Sequence, residues 1–85
     1  MGELAEKVDR ALRLAFSDLK SLEINDEDGI IGVLVSPSFE GLEAIDRQDR
    51  IWDVLDRALA PEEKRQIQII VAATPEEHMG HLATP

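Results

Sequence analysis

The chain has 85 residues, enough for one small domain and too few to form two separate cores. Eighteen acidic residues against nine basic ones give a formal net charge of -9, so the average surface repels phosphate backbones and anionic membranes. Because cysteine is absent, disulfides, thiolate metal sites and thiol nucleophiles of this chain's own are excluded.

The first part of the chain predicts a helix followed by a β-hairpin. Apolar residues recur at steps of three and four from Leu4 to Leu19, which predicts an amphipathic helix over about residues 3–20. Residues 21–25 alternate between polar and apolar, which predicts a short strand. Residues 25–29 end in Asp-Gly and predict a tight turn, since that pair tolerates positive backbone angles.

The middle of the chain predicts a central strand and two helices. Residues 30–35, Ile-Ile-Gly-Val-Leu-Val, form an apolar run typical of a strand in mid-sheet or covered on both faces. Pro37 and Gly41 then interrupt the strand pattern. The helical period returns from Leu42 to Leu59, and a third, brief helix is predicted after Pro61.

The last part of the chain predicts one more strand and a capped turn. Residues 67–73 are apolar apart from Gln68 and rich in β-branched side chains, and Thr74-Pro75-Glu76-Glu77 has the Thr-x-x-Glu capping pattern. Residues 1–78 are thus predicted to form a single domain, and residues 79–85 a flexible tail. The predicted class is α+β, in the order α-β-β-α-α-β, with a three-stranded mixed sheet and helices on one face.

Three carboxylates in the predicted hairpin loop invite a metal-site interpretation. They belong to Asp26, Glu27 and Asp28. A calcium loop of the helix-loop-helix type needs acidic residues at its first and last positions, and here those positions are Ile24 and Val35. A structural turn is the favoured interpretation.

Two histidines lie near the end of the chain. On a helix, His78 and His81 share one side and could hold a metal with Glu77, but solvated residues are favoured because no supporting residues are evident. The serines lack the glycine pattern of a nucleophile elbow, and the histidines are too few to assign as a base. We therefore expect that the protein is not an enzyme and that it holds no metal and no cofactor.

Basic residues gather in the second half of the chain and could form a local positive patch. They alternate with acids at helical spacing, which favours a solvated helix face over a phosphate-binding track. The residues are Arg47, Arg50, Arg57, Lys64 and Arg65. Trp52, the only tryptophan, is either a core residue, which is favoured, or an interface anchor.

The segment "VLVSPSFEG", the helix after it and the later "TPEE" resemble the BolA-like family. That family has a small α-β-β-α-α-β domain with a Ser-x-x-Phe-x-Gly turn before its second helix. Ser36, Phe39 and Gly41 match the turn, and residues 74–77 match the end of the pattern. The resemblance extends from about Ser21 to His78.

The resemblance implies a non-enzymatic adaptor. Proteins of this family pair with monothiol glutaredoxins in iron-sulfur cluster trafficking and iron regulation, and some bind DNA as transcriptional regulators. The family's cluster ligand is a histidine near the start of the last strand, sometimes joined by a histidine or cysteine between the first two strands. This chain has Gln66 or Gln68 at the first place and neither ligand type in residues 25–29.

We therefore expect a cytoplasmic BolA-like adaptor or regulator that binds a partner protein such as a monothiol glutaredoxin and contributes no cluster ligand. The alternatives are a nucleic-acid-binding transcriptional regulator on the same scaffold, or an acidic binding partner of a basic protein. The partner-binding candidates are Phe39, Gly41, Arg47, Arg50 and Trp52.

Overall fold

The computed structural model describes the backbone of residues 2–83 and the side chains of residues 2–79. Within residues 2–83, four helices and three strands follow one another in the order α1, β1, β2, α2, α3, β3, α4, with a short 3-10 turn between β2 and α2. The helices are α1 (Glu3–Ala15), α2 (Ala44–Ala58), α3 (Pro61–Lys64) and α4 (Pro75–Ala83). The strands are β1 (Ser21–Asn25), β2 (Ile30–Val35) and β3 (Ile67–Ala73), and the 3-10 turn is Pro37–Phe39.

The sheet confirms the predicted class and the central position of β2. The strand order is β1-β2-β3, with β1 antiparallel and β3 parallel to β2, so the sheet is mixed. The β1–β2 hairpin turns at Gly29, whose φ of 86° lies in the region that favours glycine. All three strands have the bounds that the sequence predicts.

Helices α1 and α2 pack beside each other on one face of the sheet. Leu12 of α1 and Leu55 of α2, which belong to the apolar periods of these helices, are both fully buried. Between the two helices and the sheet lies one cluster of buried apolar side chains. Its largest fully buried members are Val8 and Leu12 of α1, Leu34 of β2, Phe39 of the 3-10 turn, Ile51 and Leu55 of α2, and Ile70 of β3.

The C-terminal ends of α1 and α4 differ most from the prediction. Helix α1 ends at Ala15, five residues early, because Phe16 leaves helical geometry (φ -112°, ψ 85°) and packs its ring in the core. Helix α4 continues to Ala83, through residues predicted as a tail, while residues 84–85 lie outside the described part. Within the described residues, no helix has the length and apolar composition that crossing a membrane requires.

Candidate partner-binding site

The turn after β2 is held by a hydrogen-bonded serine pair. Ser36 is fully buried, and its hydroxyl oxygen accepts from the Ser38 backbone N–H at 3.1 Å while donating to the Asp18 carboxylate at 2.8 Å. Ser38 donates its hydroxyl to the other Asp18 oxygen at 2.5 Å. These two hydroxyls, that of Ser38 above all, lower the pKa of Asp18. The turn is thereby tied to the segment between α1 and β1.

The buried side chain of Phe39 also holds this turn in place. Its side chain is fully buried, and its ring centroid lies 5.4 Å from that of Phe16 with the ring planes tilted by 56°. Gly41 follows with a φ of 78°, in open space with no heavy atom near the position of a Cβ, so backbone conformation alone calls for glycine there. A surface at this turn is therefore formed by the residues around Phe39, not by its ring.

Arg47 joins α2 to three other segments. Its guanidinium donates to the backbone oxygen of Leu42 at 3.0 Å and to that of Ala72 at 3.4 Å. It also makes a bidentate ion pair with Glu77 of α4, in which Nη1 donates to Oε1 at 2.6 Å and Nη2 donates to Oε2 at 3.0 Å. The side chain is only 13% exposed. Arg47, predicted as a partner contact, is thus largely occupied within the fold.

Glu77 completes the capping pattern predicted from Thr74-x-x-Glu77. The Glu77 backbone N–H donates to the Thr74 hydroxyl at 3.1 Å, and the Thr74 N–H donates to the Glu77 carboxylate at 3.0 Å. With the Arg47 ion pair as the largest cause, these bonds lower the pKa of Glu77 from 4.5 to about 2. One carboxylate therefore both caps α4 and attaches it to α2.

We expect a Glu77→Gln variant to lose stability in a pH-dependent way. Because folding lowers this pKa, the carboxylate stabilises the protein fully above pH 4.5, and the contribution is lost as the pH falls through about 2. Urea unfolding followed by circular dichroism should show a gap between wild type and variant at neutral pH that closes over this interval. A matched Glu76→Gln variant should show no such gap, and a gap that stays constant down to pH 2 would contradict the assignment.

The remaining candidates, Arg50 and Trp52, lie on α2 beyond Arg47. Arg50 is exposed, whereas the ion pairs of the other two α2 arginines join Arg47 to Glu77 and Arg57 to Asp53. Trp52 is half-buried and packs against the core, so part of its surface stays accessible. Arg50 and the exposed edge of Trp52 are the candidates best placed to touch a partner.

Two residues of this region had no sequence signal. Gln48 donates its side-chain amide to the Ile70 backbone oxygen at 2.7 Å and, together with Arg47, covers the free edge of β3. Asp18 anchors the serine turn. An isolated Gln on a helix and an isolated Asp in a loop show no pattern that would indicate these distant partners.

The start of β3 meets the β1–β2 loop, where the resemblance would place cluster ligands. Gln68 donates its side-chain amide to the Asp28 backbone oxygen, and its nitrogen lies 2.7 Å from where a Cβ on Gly29 would stand. The neighbouring carboxylate of Asp26 accepts from the Gly2 backbone N–H at 2.6 Å. Amide and carboxylate oxygens are poor ligands for a soft iron-sulfur centre, so the residues present do not fit one.

The predicted histidine pair is only partly described. His78 lies on α4, where its backbone N–H donates to the Thr74 carbonyl at 3.0 Å. Glu77, the third member of the hypothetical metal set, is engaged by Arg47 and Thr74. The side chain of His81 lies outside the described residues.

Comparison with solved structures finds the BolA fold repeatedly. The BolA domain of SufE1 from Arabidopsis thaliana matches with a TM-score of 0.72 and 25% identity, over 91% of this chain and 98% of that one. A bol-like protein from Babesia bovis matches with a TM-score of 0.71 and 25% identity, over 92% of each chain. BolA1 from Mus musculus matches with a TM-score of 0.78 and 22% identity, over 99% of this chain and 75% of that one.

No protein-family model and no curated protein sequence matches the chain. The likeness is therefore one of three-dimensional structure, and it confirms the resemblance seen in the turn and capping motifs at the level of the fold.

Proposed function

We propose that this chain, which has a BolA-like fold, is a non-enzymatic adaptor that binds a protein partner such as a monothiol glutaredoxin in iron-sulfur or iron homeostasis. The observation that carries the proposal is the match to BolA structures over nearly the whole chain, at TM-scores of 0.70 and above for four of them. It is supported by the retained turn of Ser36, Phe39 and Gly41, each of which has a defined role in holding the fold.

The surface that we assign to the partner lies on α2 next to that turn. The turn is fixed to the α1–β1 segment by Asp18, and the start of α2 is fixed to β3 and α4 by Arg47 and Gln48. Because these hydrogen bonds and this ion pair keep the surface rigid, it loses little conformational entropy when a partner binds. Arg50 adds an exposed positive charge to it, although the chain as a whole is acidic.

The partner's cluster receives no ligand from this chain in our proposal. Gln68 stands next to the β1–β2 loop, and its amide is held by the Asp28 carbonyl. We therefore assign the interaction to surface contacts, and any cluster keeps the ligands that the partner supplies.

Mixing the purified protein with a cluster-loaded monothiol glutaredoxin tests this proposal. We expect binding, measured by calorimetry, with an unchanged visible circular dichroism spectrum, because the cluster's ligands stay the same. No binding would contradict the adaptor function itself. A spectrum that the wild type changes, and that replacing His78 and His81 with Ala restores, would leave the adaptor function standing and overturn the absence of a ligand.

A further inference from the structure

The face of the sheet that points away from the helices carries a cluster of exposed apolar side chains. Strand register puts Val33 beside Val71 and Ile31 beside Ile69. Ile31, Ile69 and Val71 are 42%, 51% and 41% exposed, and Val33 is half-buried. We call these four residues the outer patch. An apolar cluster of this kind on a sheet face is typical of a protein-binding surface.

The outer patch is acidic at its border. Across the β1–β2 ladder Glu23 pairs with Val33 and Asn25 with Ile31, so Glu23 lies on the same face as the patch. The three exposed acids of residues 26–28 follow directly at the Asn25 end. The basic residues closest in sequence are Lys20, which precedes the opposite end of β1, and Arg65, which lies two residues before β3. Acidic residues therefore outnumber basic ones around the patch.

These charges restrict what can cover the patch. Four aliphatic side chains are too few to supply the about 800 Å² that each partner buries in a stable interface, so the acidic border must take part. A second copy would bring its own Glu23 and a further net charge of -9. A surface with an apolar centre and lysine or arginine around it would instead complement both features.

We propose that the outer patch and Glu23 dock a second protein partner, one that presents an apolar centre flanked by basic side chains. This goes beyond the adaptor function, because the surface assigned to the first partner lies on α2, on the helical side of the sheet. The chain then has a binding surface on each side of its sheet and can hold two proteins at once.

Two synthetic helical peptides with the same leucine stripe provide the probe, one flanked by lysine and the other by glutamate. Titrated into the ¹⁵N-labelled protein, the lysine peptide should shift the amide signals of β2 and β3 at the outer patch, and the glutamate peptide should not. Val71→Lys and Glu23→Lys should each weaken the lysine peptide at least tenfold. Leu14→Lys is the matched control, because Leu14 is 79% exposed on α1, away from the sheet.

Three outcomes would overturn the proposal. The first is the absence of saturable shifts at the outer patch, and the second is equal binding of the two peptides or an equal loss in Leu14→Lys. The third is a concentration-dependent dimer of the free protein that Val71→Lys abolishes, which would assign the patch to a second copy. Glutaredoxin binding by Val71→Lys should match that of the wild type, so this test is separate from that of the adaptor function.

Discussion

Replacing Phe39 with Ala should lower the free energy of unfolding by about 3–5 kcal/mol. The side chain is fully buried, and its ring contacts that of Phe16 in a tilted arrangement. Its removal reduces the buried apolar surface and leaves a cavity beside the turn. A small domain has only about 5–15 kcal/mol of total stability, so the variant should be marginal at room temperature. Urea unfolding followed by tryptophan fluorescence measures the loss, since Trp52 packs against the same core.

Matched variants separate this loss from a general sensitivity to substitution. Leu14→Ala removes an apolar side chain that is 79% exposed and should change the stability by less than about 0.5 kcal/mol. Leu55→Ala, at a second fully buried position, should cost about 2–5 kcal/mol. If Phe39→Ala does not fold, Phe39→Leu keeps the measurement possible with a smaller loss. A loss below about 1 kcal/mol for Phe39→Ala would contradict a core role.

The sequence was sufficient to predict the elements whose pattern is local. Residues 30–35 are apolar throughout and form the central strand, and Thr74 to Glu77 form the predicted cap. Each of these signals depends on residues a few positions apart, where periodicity and capping chemistry act.

The same run in β2 was ambiguous about what covers it. An apolar strand is compatible with burial on both faces or with a central place in a sheet that is covered on one face. The structure shows the second case, because Leu34 is fully buried whereas Ile31 is 42% exposed. The apolar character of a strand does not distinguish these cases, because it does not show whether one face of the sheet is covered or both.

The candidate site was only partly predictable because its contacts are long-range. The pairing of Arg47 with Glu77 spans 30 positions and that of Ser38 with Asp18 spans 20. Charge and spacing identified Arg47 as a candidate but could not show that Glu77 and two carbonyl oxygens occupy it. Phe39 was likewise identified from its motif, and only the packing shows that its ring lies inside the core.

The second large effect is expected at Arg50, which stays exposed beside these occupied residues. An Arg50→Glu variant should bind a monothiol glutaredoxin at least 30-fold more weakly, about 2 kcal/mol, because it reverses a charge in the proposed interface. Arg10→Glu on α1 is the matched control, since it changes the net charge equally at another exposed arginine. Neither substitution removes a core side chain, so both variants should unfold at nearly the wild-type urea concentration.

The most direct test of the adaptor function and its surface is a titration of the ¹⁵N-labelled protein with a monothiol glutaredoxin, with dissociation constants measured for wild type, Arg50→Glu and Arg10→Glu. We expect saturable amide shifts around Gly41 and along α2 from Arg47 to Trp52, a weakened Arg50→Glu variant and an Arg10→Glu variant close to wild type. Absence of binding, or shifts confined to other surfaces with equal affinity for both variants, would contradict the account.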